Sequence, residues 1–433
     1  MAHIAPFRAL RYNPAQVNLS QVVTQPYDKI TPEMQQAYYA ASPYNLVRII
    51  LGKRDPSDHA ESNAYTRASE SLEDWRRRQV LEADPEPSIY VYSQRFTVPG
   101  GERELERLGF IALGRIEDYS AQVVFRHEQT LAKPKADRLD LLRSTQAHFG
   151  QIFMLYSDPA GEIDKALAPS GSPDMETTDE YGVMHRVWRV SDPAVIELVR
   201  GKMRDRKLII ADGHHRYETA LNYRNERRAQ AGSAAPDAPY EMVMMTFVNM
   251  DGPGLLILPT HRVVHSLPSF SAETFCDRAR SYFSVEEVDL PLDPVRAQSI
   301  LREAGRSGTA LLAVTAERIF LLDTPRAMGA GIFDGFSLRQ QSLDVVQLHK
   351  CLLEGVLGIS EEAIRNQQNL RYLRDAGEAI EQVRRGQANV AFLMNPARMQ
   401  QVRDIAFASE VLPQKSTDFF PKLLSGLTIY PLE

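Results

Sequence analysis

The sequence predicts an α/β fold of the α+β kind, with mixed sheets and helices packed against them, and three observations carry that expectation. Apolar runs of strand length alternate with amphipathic stretches of helix length along most of the chain. The composition, 43% hydrophobic and 24% charged, is that of an ordinary globular protein. A length of 433 residues leaves room for two domains, each with its own core.

In chain order, the first fifty residues are turn-rich, punctuated by Pro26, Pro32 and Pro43. Thr31-Pro32-Glu33 reads as an N-cap, an N1 proline and an acidic first turn. Ala64, Ala68, Leu72, Trp75 and Val80 then recur at near-helical spacing. "PSIYVYSQRFTV" and "RLGFIALGRI" predict two antiparallel strands joined by "PGGERE". "PKADRLDLLRSTQAHF" predicts a helix, "QIFMLY" a buried strand and "VMHRVWRV" a half-exposed one, before a short helix in "DPAVIELVRGKM". "KLIIA" is a strand feeding the helix "HHRYETALNYRNERRAQ", followed by strands in "YEMVMMTFVNM" and "LLILPTHRVV". Beyond "HSLPSF" the alternation becomes more regular: helix "SAETFCDRARSYF", strand "SVEEV", helix "LDPVRAQSILREAG" and strands "TALLAVT" and "RIFLLD". Helix "LDVVQLHKCLLEGVL", strand "NLRYL", helix "DAGEAIEQVRRG", strand "NVAFLMN" and helix "PARMQQVRDIAFAS" complete it. The change of texture sets the expected domains at 1–265 and 266–433, with a tail at 411–427 expected to fold back on the site.

The net charge of -6 argues against a duplex-binding role, which needs a concentrated basic surface, but is compatible with a small basic pocket. Cys276 and Cys351 are too few for a thiolate metal site or a disulfide scaffold. The N-terminus carries no apolar run of signal length, and no stretch reaches the ~18 apolar residues of a spanning helix. The expectation is a cytoplasmic protein with a small-molecule partner and no membrane or nucleic-acid partner; self-association is left open.

The densest chemistry lies in "IIADGHHRYETAL", where two of the ten histidines stand side by side. A strand ends, Asp212 and Gly213 turn the chain, and a helix begins. The unpaired N–H groups of a first helical turn favour an anion. Gly213 allows close backbone approach, and Arg216 adds a planar set of donors suited to phosphate. His214 and His215 stand at the helix start as further donors. Asp212 can cap the helix, hold a hydroxyl or Mg²⁺, or act as a base. His214 and Glu218 share a helical face, as do His215 and Glu218, but two residues do not complete a metal site. The plainer reading is a capped helix in which Asp212 serves its own first turn. Neither G-x-x-x-x-G-K nor G-x-G-x-x-G is present.

A second concentration, "FRHEQTLAKPKADRLDLL", holds Arg126, His127, Glu128, Thr130, Lys133, Lys135, Asp137 and Arg138. Glu128 suits a base or a metal-bound carboxylate, and His127 a proton carrier or a donor to phosphate; a solvated loop before a helix is the plainer account. "PYDKI" contributes Tyr27 and Asp28 in a nucleotide-facing turn. "LPTHRVV" places His261 and Arg262 after an apolar run, within reach of a phosphate or merely at a strand end. The tail "LPQKSTDFFPKLLSG", with Lys415 and Lys422, lacks periodicity and must be held by contacts elsewhere.

"QPYDKI", "RHEQT" with "DRLDLL", "IADGHHRYETAL", "LPTHR", "LDVVQLH" and "PQKSTDFFPKL" in this order resemble the bacterial and archaeal domain-of-unknown-function family 1015 along essentially the whole chain. "IIADGHHRYETA" also resembles, more distantly, the phosphate-binding box of the ParB/sulfiredoxin superfamily, which includes free-serine kinases. That resemblance implies a ParB/sulfiredoxin-like nucleotide-binding core beside a second α/β domain. It implies that Gly213, His214, His215 and Arg216 cradle phosphate and that Asp212 supports catalysis. It also makes Glu128 a candidate for the kinases' catalytic glutamate. ParB's DNA-reading helices have no counterpart.

The leading expectation is an enzyme, a phosphotransferase that uses a nucleotide (ATP, ADP or CTP) with Mg²⁺ to phosphorylate a small hydroxyl-bearing metabolite such as free serine. Asp212, Glu128 and His127 are its candidate catalytic groups. Tyr27, Asp28, Gly213, His214, His215, Arg216, His261, Arg262 and Lys415 are its candidate nucleotide ligands, and no metal ligand is assigned. The alternatives are a metal-dependent phosphohydrolase or nuclease, and a non-catalytic nucleotide-binding or effector-sensing protein.

Overall fold

Strands alternating with helices build two large sheets in the computed structural model, which describes residues 1–128, 133–232, 235–326 and 331–433, with the side chains of 133–135 left aside. The chain forms two compact units, one of residues 1–126, 130–256 and 421–433, the other of 127–129 and 257–420. The last thirteen residues thus return to the first unit, and His127 and Glu128 join the second.

The first unit is built on nine strands: β1 (Ile4–Ala5), β2 (Ile89–Thr97), β3 (Glu104–Arg115), β4 (Val124–Phe125), β5 (Ile152–Tyr156), β6 (Met175–Thr178), β7 (Met184–Val190), β8 (Leu208–Asp212) and β9 (Met242–Asn249). Their spatial order is β4-β8-β5-β9-β3-β2-β7-β6, with β1 added on β3. The pairing is mixed: β8 runs parallel to β4 and antiparallel to β5, while β9 runs parallel to β5 and antiparallel to β3. β8 matches the run read from "KLIIA", and β5 the run read from "QIFMLY". Both are buried along their whole length except at Asp212, which is why they read as continuous apolar stretches. Helices α1 (Pro193–Met203) and α2 (His214–Ala231) cover one face, through Ile196, Val199, Met203, Tyr217 and Ala220. A second core gathers Leu72, Trp75, Leu141, Phe149 and, from the returning tail, Ile429.

The main sheet of the second unit has six strands: β10 (His261–Val264), β11 (Ser284–Val288), β12 (Ala310–Val314), β13 (Ile319–Asp323), β14 (Leu370–Leu373) and β15 (Val390–Met394). Their order is β11-β13-β12-β15-β10-β14, antiparallel throughout. Successive residues go to opposite faces. Val264, Leu311, Phe320 and Phe392 enter one core, and Val263, Leu312, Ile319 and Leu393 the other. The stretch "LDVVQLHKCLLEGVL", expected as one α-helix, begins as a short helical turn at Asp344–Gln347. It continues as a π-helix over Leu348–Val356 that packs on the first of these cores. No helix among the described residues is long and apolar enough to cross a membrane.

Candidate functional site

Asp212 is the last residue of β8, and the register slips between Ile210 and Asp212, so that Asp212 stands opposite Phe153. A bulge of this kind re-aims a side chain at the end of a strand. Gly213 follows with φ +93, a left-handed conformation that favours glycine. A Cβ there would come within 3.0 Å of Arg216 Nε and 3.1 Å of its Cζ. Glycine therefore serves twice: it makes the turn, and it lets the Arg216 guanidinium fold back over that turn. No side chain caps α2, whose N-cap is Gly213 itself. Asp212 is not a helix cap; its carboxylate faces cations.

Arg216 Nη2 donates to Asp212 Oδ2 at 3.0 Å and Nη1 donates to the Gln151 carbonyl. Lys422 Nζ, from the returning tail, lies 3.8 Å from Asp212 Oδ1. Burial alone would raise the Asp212 pKa, but Lys422, Arg216, Lys29 and His214 outweigh it and hold the carboxyl well below the usual range. Lys422 is itself set in place through its backbone. Gln94 Nε2 donates to the Lys422 carbonyl at 2.8 Å, and Arg107 donates at 2.5 Å to that of Pro421. Arg107 is fully buried over the Phe153 ring, and burial lowers its pKa to about 9. The turn is thus surrounded by more positive than negative side chains.

A cleft of about 70 Å³ opens beside Arg216, lined also by Tyr27, Arg138, Phe149, Gly150, Thr219 and Ser425. The Arg138 guanidinium lies 4.2 Å from the Tyr27 ring centroid, and burial raises the Tyr27 hydroxyl to about 12. Asp28 is exposed on the same short turn, Tyr27–Lys29. The Thr219 hydroxyl is buried and has no hydrogen-bond partner among the described residues. His214 and His215 occupy the first turn of α2, both half-buried. Glu218 is buried one turn on, 4.0 Å from Arg126.

The remaining candidates lie in the second unit. The Thr417 N–H and hydroxyl both donate to Glu128 Oε1, each at 2.8 Å. The hydroxyl has only one hydrogen, so the His127 Nε2 atom 2.7 Å away is left to donate to it. His127 is fully buried, and its carbonyl accepts the Leu412 N–H. Arg262 alternates with Val263 along β10, which puts it on the face covered by the π-helix, and it is fully buried there. Its guanidinium donates to the carbonyls of Thr260 and Lys415 and lies 5.2 Å from the Tyr372 ring centroid. Burial lowers its pKa to about 10. His261 accepts the Met394 N–H at 3.3 Å, and burial with Arg262 nearby lowers it to about 4, which leaves it neutral at pH 7. Lys415 is exposed at a turn with φ +59, a left-handed conformation costly for a side chain, and Arg262 holds its carbonyl. Thr130 and the side chains of Lys133 and Lys135 lie outside the described residues.

The structure thus gathers Asp212, Gly213, His214, His215, Arg216 and Tyr27 in the first unit, and His127, Glu128, His261, Arg262 and Lys415 in the second. The sequence reading passed over Lys29, although it lies within "PYDKI", and gave Lys422 no role although it lies in the quoted tail. Thr219 and Gln151 carried no signal. Among the described residues no group of three or more His, Cys, Asp or Glu side chains is placed to hold a metal ion.

Fold and site together define a mixed α/β protein with a cation-ringed carboxylate at a strand-to-helix turn. The chain belongs to the family described as protein of unknown function (DUF1015), whose profile matches residues 4–346. That span contains the 208–216 turn and ends before the tail. No curated protein matches. Among solved structures, a conserved hypothetical protein from Pyrococcus furiosus is 12% identical over 69% of this chain and 87% of its own, with a TM-score of 0.34. A free serine kinase in complex with AMP is 14% identical over 70% and 89%, with a TM-score of 0.33. SbnI with C-terminal truncation from Staphylococcus aureus is 11% identical over 74% and 87%, with a TM-score of 0.35. At TM-scores this low, none of the three decides what this chain binds.

Proposed function

We propose that the chain binds a nucleotide by its phosphates at the Asp212–Arg216 turn and transfers a phosphoryl group to a small hydroxyl-bearing metabolite. One observation carries this reading: a single ionised carboxylate is ringed by Lys422, Arg216, Lys29 and His214 at the uncapped start of an 18-residue helix. Such a surplus of positive charge on fixed donors suits a phosphoryl group, whose transfer depends on positioning and charge neutralisation. In this reading Arg216 moves from Asp212 to the phosphate, the N–H groups of His214 and His215 face its oxygens, and Lys422 stays as the second cation. The cleft beside Arg216 takes the acceptor, with the orphaned Thr219 hydroxyl offered to it. Mg²⁺ commonly rests on one or two carboxylates and the nucleotide's own phosphates; Asp212 is the carboxylate available here, and the ion would neutralise phosphate charge.

A carboxyl held so far below its usual range is a weak proton acceptor, which favours Asp212 as the resting partner of the cations over a general base. The same observation favours a second reading, nucleotide binding or effector sensing without chemistry. In either reading Lys415 is an exposed cation of the second unit, on a turn that Arg262, Glu128 and His127 hold.

Calorimetry with ATP, ADP and CTP, followed by phosphorus NMR with serine and a panel of small hydroxyl compounds, tests both readings. A phosphorylated acceptor supports transfer, and binding alone supports the second reading. Phosphate release without an acceptor points to a phosphohydrolase. No binding of any nucleotide, or binding indifferent to Arg216→Ala, overturns the proposal.

A further inference from the structure

The second unit contains a cavity of about 270 Å³ that the phosphate reading does not use. Leu267, Phe270, Phe275 and Leu357 form its apolar wall, and Thr274 and Arg278 form its polar side. Phe275 is buried in the core, whereas Leu267, Phe270 and Leu357 are only partly covered, so their remaining apolar surface faces the cavity or solvent. Burial of that surface would favour a ligand with an apolar body.

Two features show that this wall is built in advance. Ser266 and Ser269 have φ of +59 and +60, so two of the left-handed non-glycine residues fall within a single four-residue loop. The loop is clamped on the same side: Leu267 N–H donates to Asn389 Oδ1 at 2.9 Å, and Asn369 Nδ2 donates to the His265 carbonyl at 3.2 Å. Strained residues persist where their surroundings over-determine them, and such places are enriched in ligand contacts. A wall already fixed also spares a ligand the cost of ordering it. The opposite side is the end of the π-helix, itself an uncommon element that recurs at functional sites.

Arg278 supplies the charge. Its Nη1 donates to the Val356 carbonyl at 2.9 Å, which fixes the guanidinium at the cavity. No carboxylate among the described residues pairs with it; the neighbouring Asp277 pairs instead with Arg280. Arg278 is exposed at the open side of the cavity, so its one guanidinium can pair with a single carboxylate there while an apolar body lies inward against Leu267 and Phe270. At about 270 Å³ the cavity lies just below the usual range for drug-sized ligands, which points to a single short chain or ring.

We infer that this cavity is a binding site for a small amphipathic carboxylate, a medium-chain or aryl-alkanoic acid. The apolar tail lies against Leu267, Phe270, Phe275 and Leu357, and the carboxylate lies on Arg278. The site belongs to the second unit and stands whether or not the Asp212 turn binds nucleotide.

Ligand-observed NMR and calorimetry on the full chain with octanoate, and with the neutral octanamide as its control, test the inference. Octanoate should bind saturably, and both octanamide on the wild type and octanoate on Arg278→Gln should bind about tenfold more weakly. Leu267→Trp, which fills the cavity, should abolish binding while leaving Arg278 in place. Absence of saturable octanoate binding, equal binding of octanamide, or unchanged binding by Leu267→Trp would each overturn it. If Arg278→Gln fails to fold, the octanamide comparison on wild type still decides.

Discussion

Arg216 and Arg262 are both arginines placed just after or within short apolar strands, and the sequence offers both as phosphate ligands; their surroundings separate them. Arg216 curls over a glycine beside an open cleft, with Nη2 on the ionised Asp212 carboxylate and Nη1 on the Gln151 carbonyl. Arg262 is fully buried and gives Nη1 and Nη2 to the carbonyls of Thr260 and Lys415. A guanidinium nitrogen paired with a charge at a cleft can exchange that one partner at modest cost, whereas a guanidinium that holds only backbone carbonyls leaves orphans when it moves. The lesson extends to the carboxylates. Asp212 is surrounded by cations, while Glu128 is engaged by the backbone and hydroxyl of Thr417. One region is organised around charge to be neutralised, the other around a turn to be held.

The sharpest way to break this contrast is Arg262→Ala. Loss of its volume and of two buried carbonyl partners should cost about 3 kcal/mol of stability, read as a drop in denaturant midpoint. Arg216→Ala should cost less stability and chiefly weaken nucleotide binding, and a reversal of the two outcomes would undo the distinction. Gly213→Ala comes next. The left-handed φ and the 3.0 Å approach to Arg216 Nε should cost about 1–2 kcal/mol and displace the guanidinium, so calorimetry should show weaker nucleotide binding as well.

Asp212→Asn sharpens the contrast through pH. The folded carboxyl titrates below its ordinary 3.8, so its stabilisation is present above about pH 4 and is lost as the pH falls toward its folded value. Acid unfolding of the wild type should therefore be steeper below pH 4 than that of Asp212→Asn. At pH 7 the variant should bind inorganic phosphate as tightly as the wild type or more so, because a competing negative charge has gone. Weaker phosphate binding would mean that Asp212 orders the cations instead of competing for them. The smallest effect is expected of Thr417→Val: about 1 kcal/mol from the lost hydroxyl bonds, with phosphate affinity at the Asp212 turn unchanged. A large loss of that affinity would tie the Thr417 turn to the phosphate site.

Much of the fold was legible because the periodicities are strong. "QIFMLY" and "KLIIA" are strands buried on both faces, and they read as continuous apolar runs. The helix "HHRYETALNYRNERRAQ" begins where its glycine stops the strand. The four-residue strand Met175–Thr178 went unread, because METT in a turn-rich stretch is too short and too polar to show a period. The π-helix was invisible for a different reason: its apolar spacing is that of an α-helix, and only the backbone bonding pattern distinguishes the two.

By itself the sequence determined that Asp212 and Gly213 stand where a strand passes into a helix, with Arg216 in its first turn, because that order is local and set by apolar run, glycine and amphipathic spacing. It also singled out "RHEQT" and the aperiodic tail as polar concentrations with something to contact. The tertiary structure alone decided the partners. Lys422 lies 210 residues from Asp212 in the chain and reaches it because the Gln94 and Arg107 side chains hold the tail's backbone. Likewise, only the packing of the π-helix on one face of β10 made Arg262 an interior residue. Charge type is written in the sequence; whether a charge meets a cation, a carbonyl or water depends on contacts made across the fold.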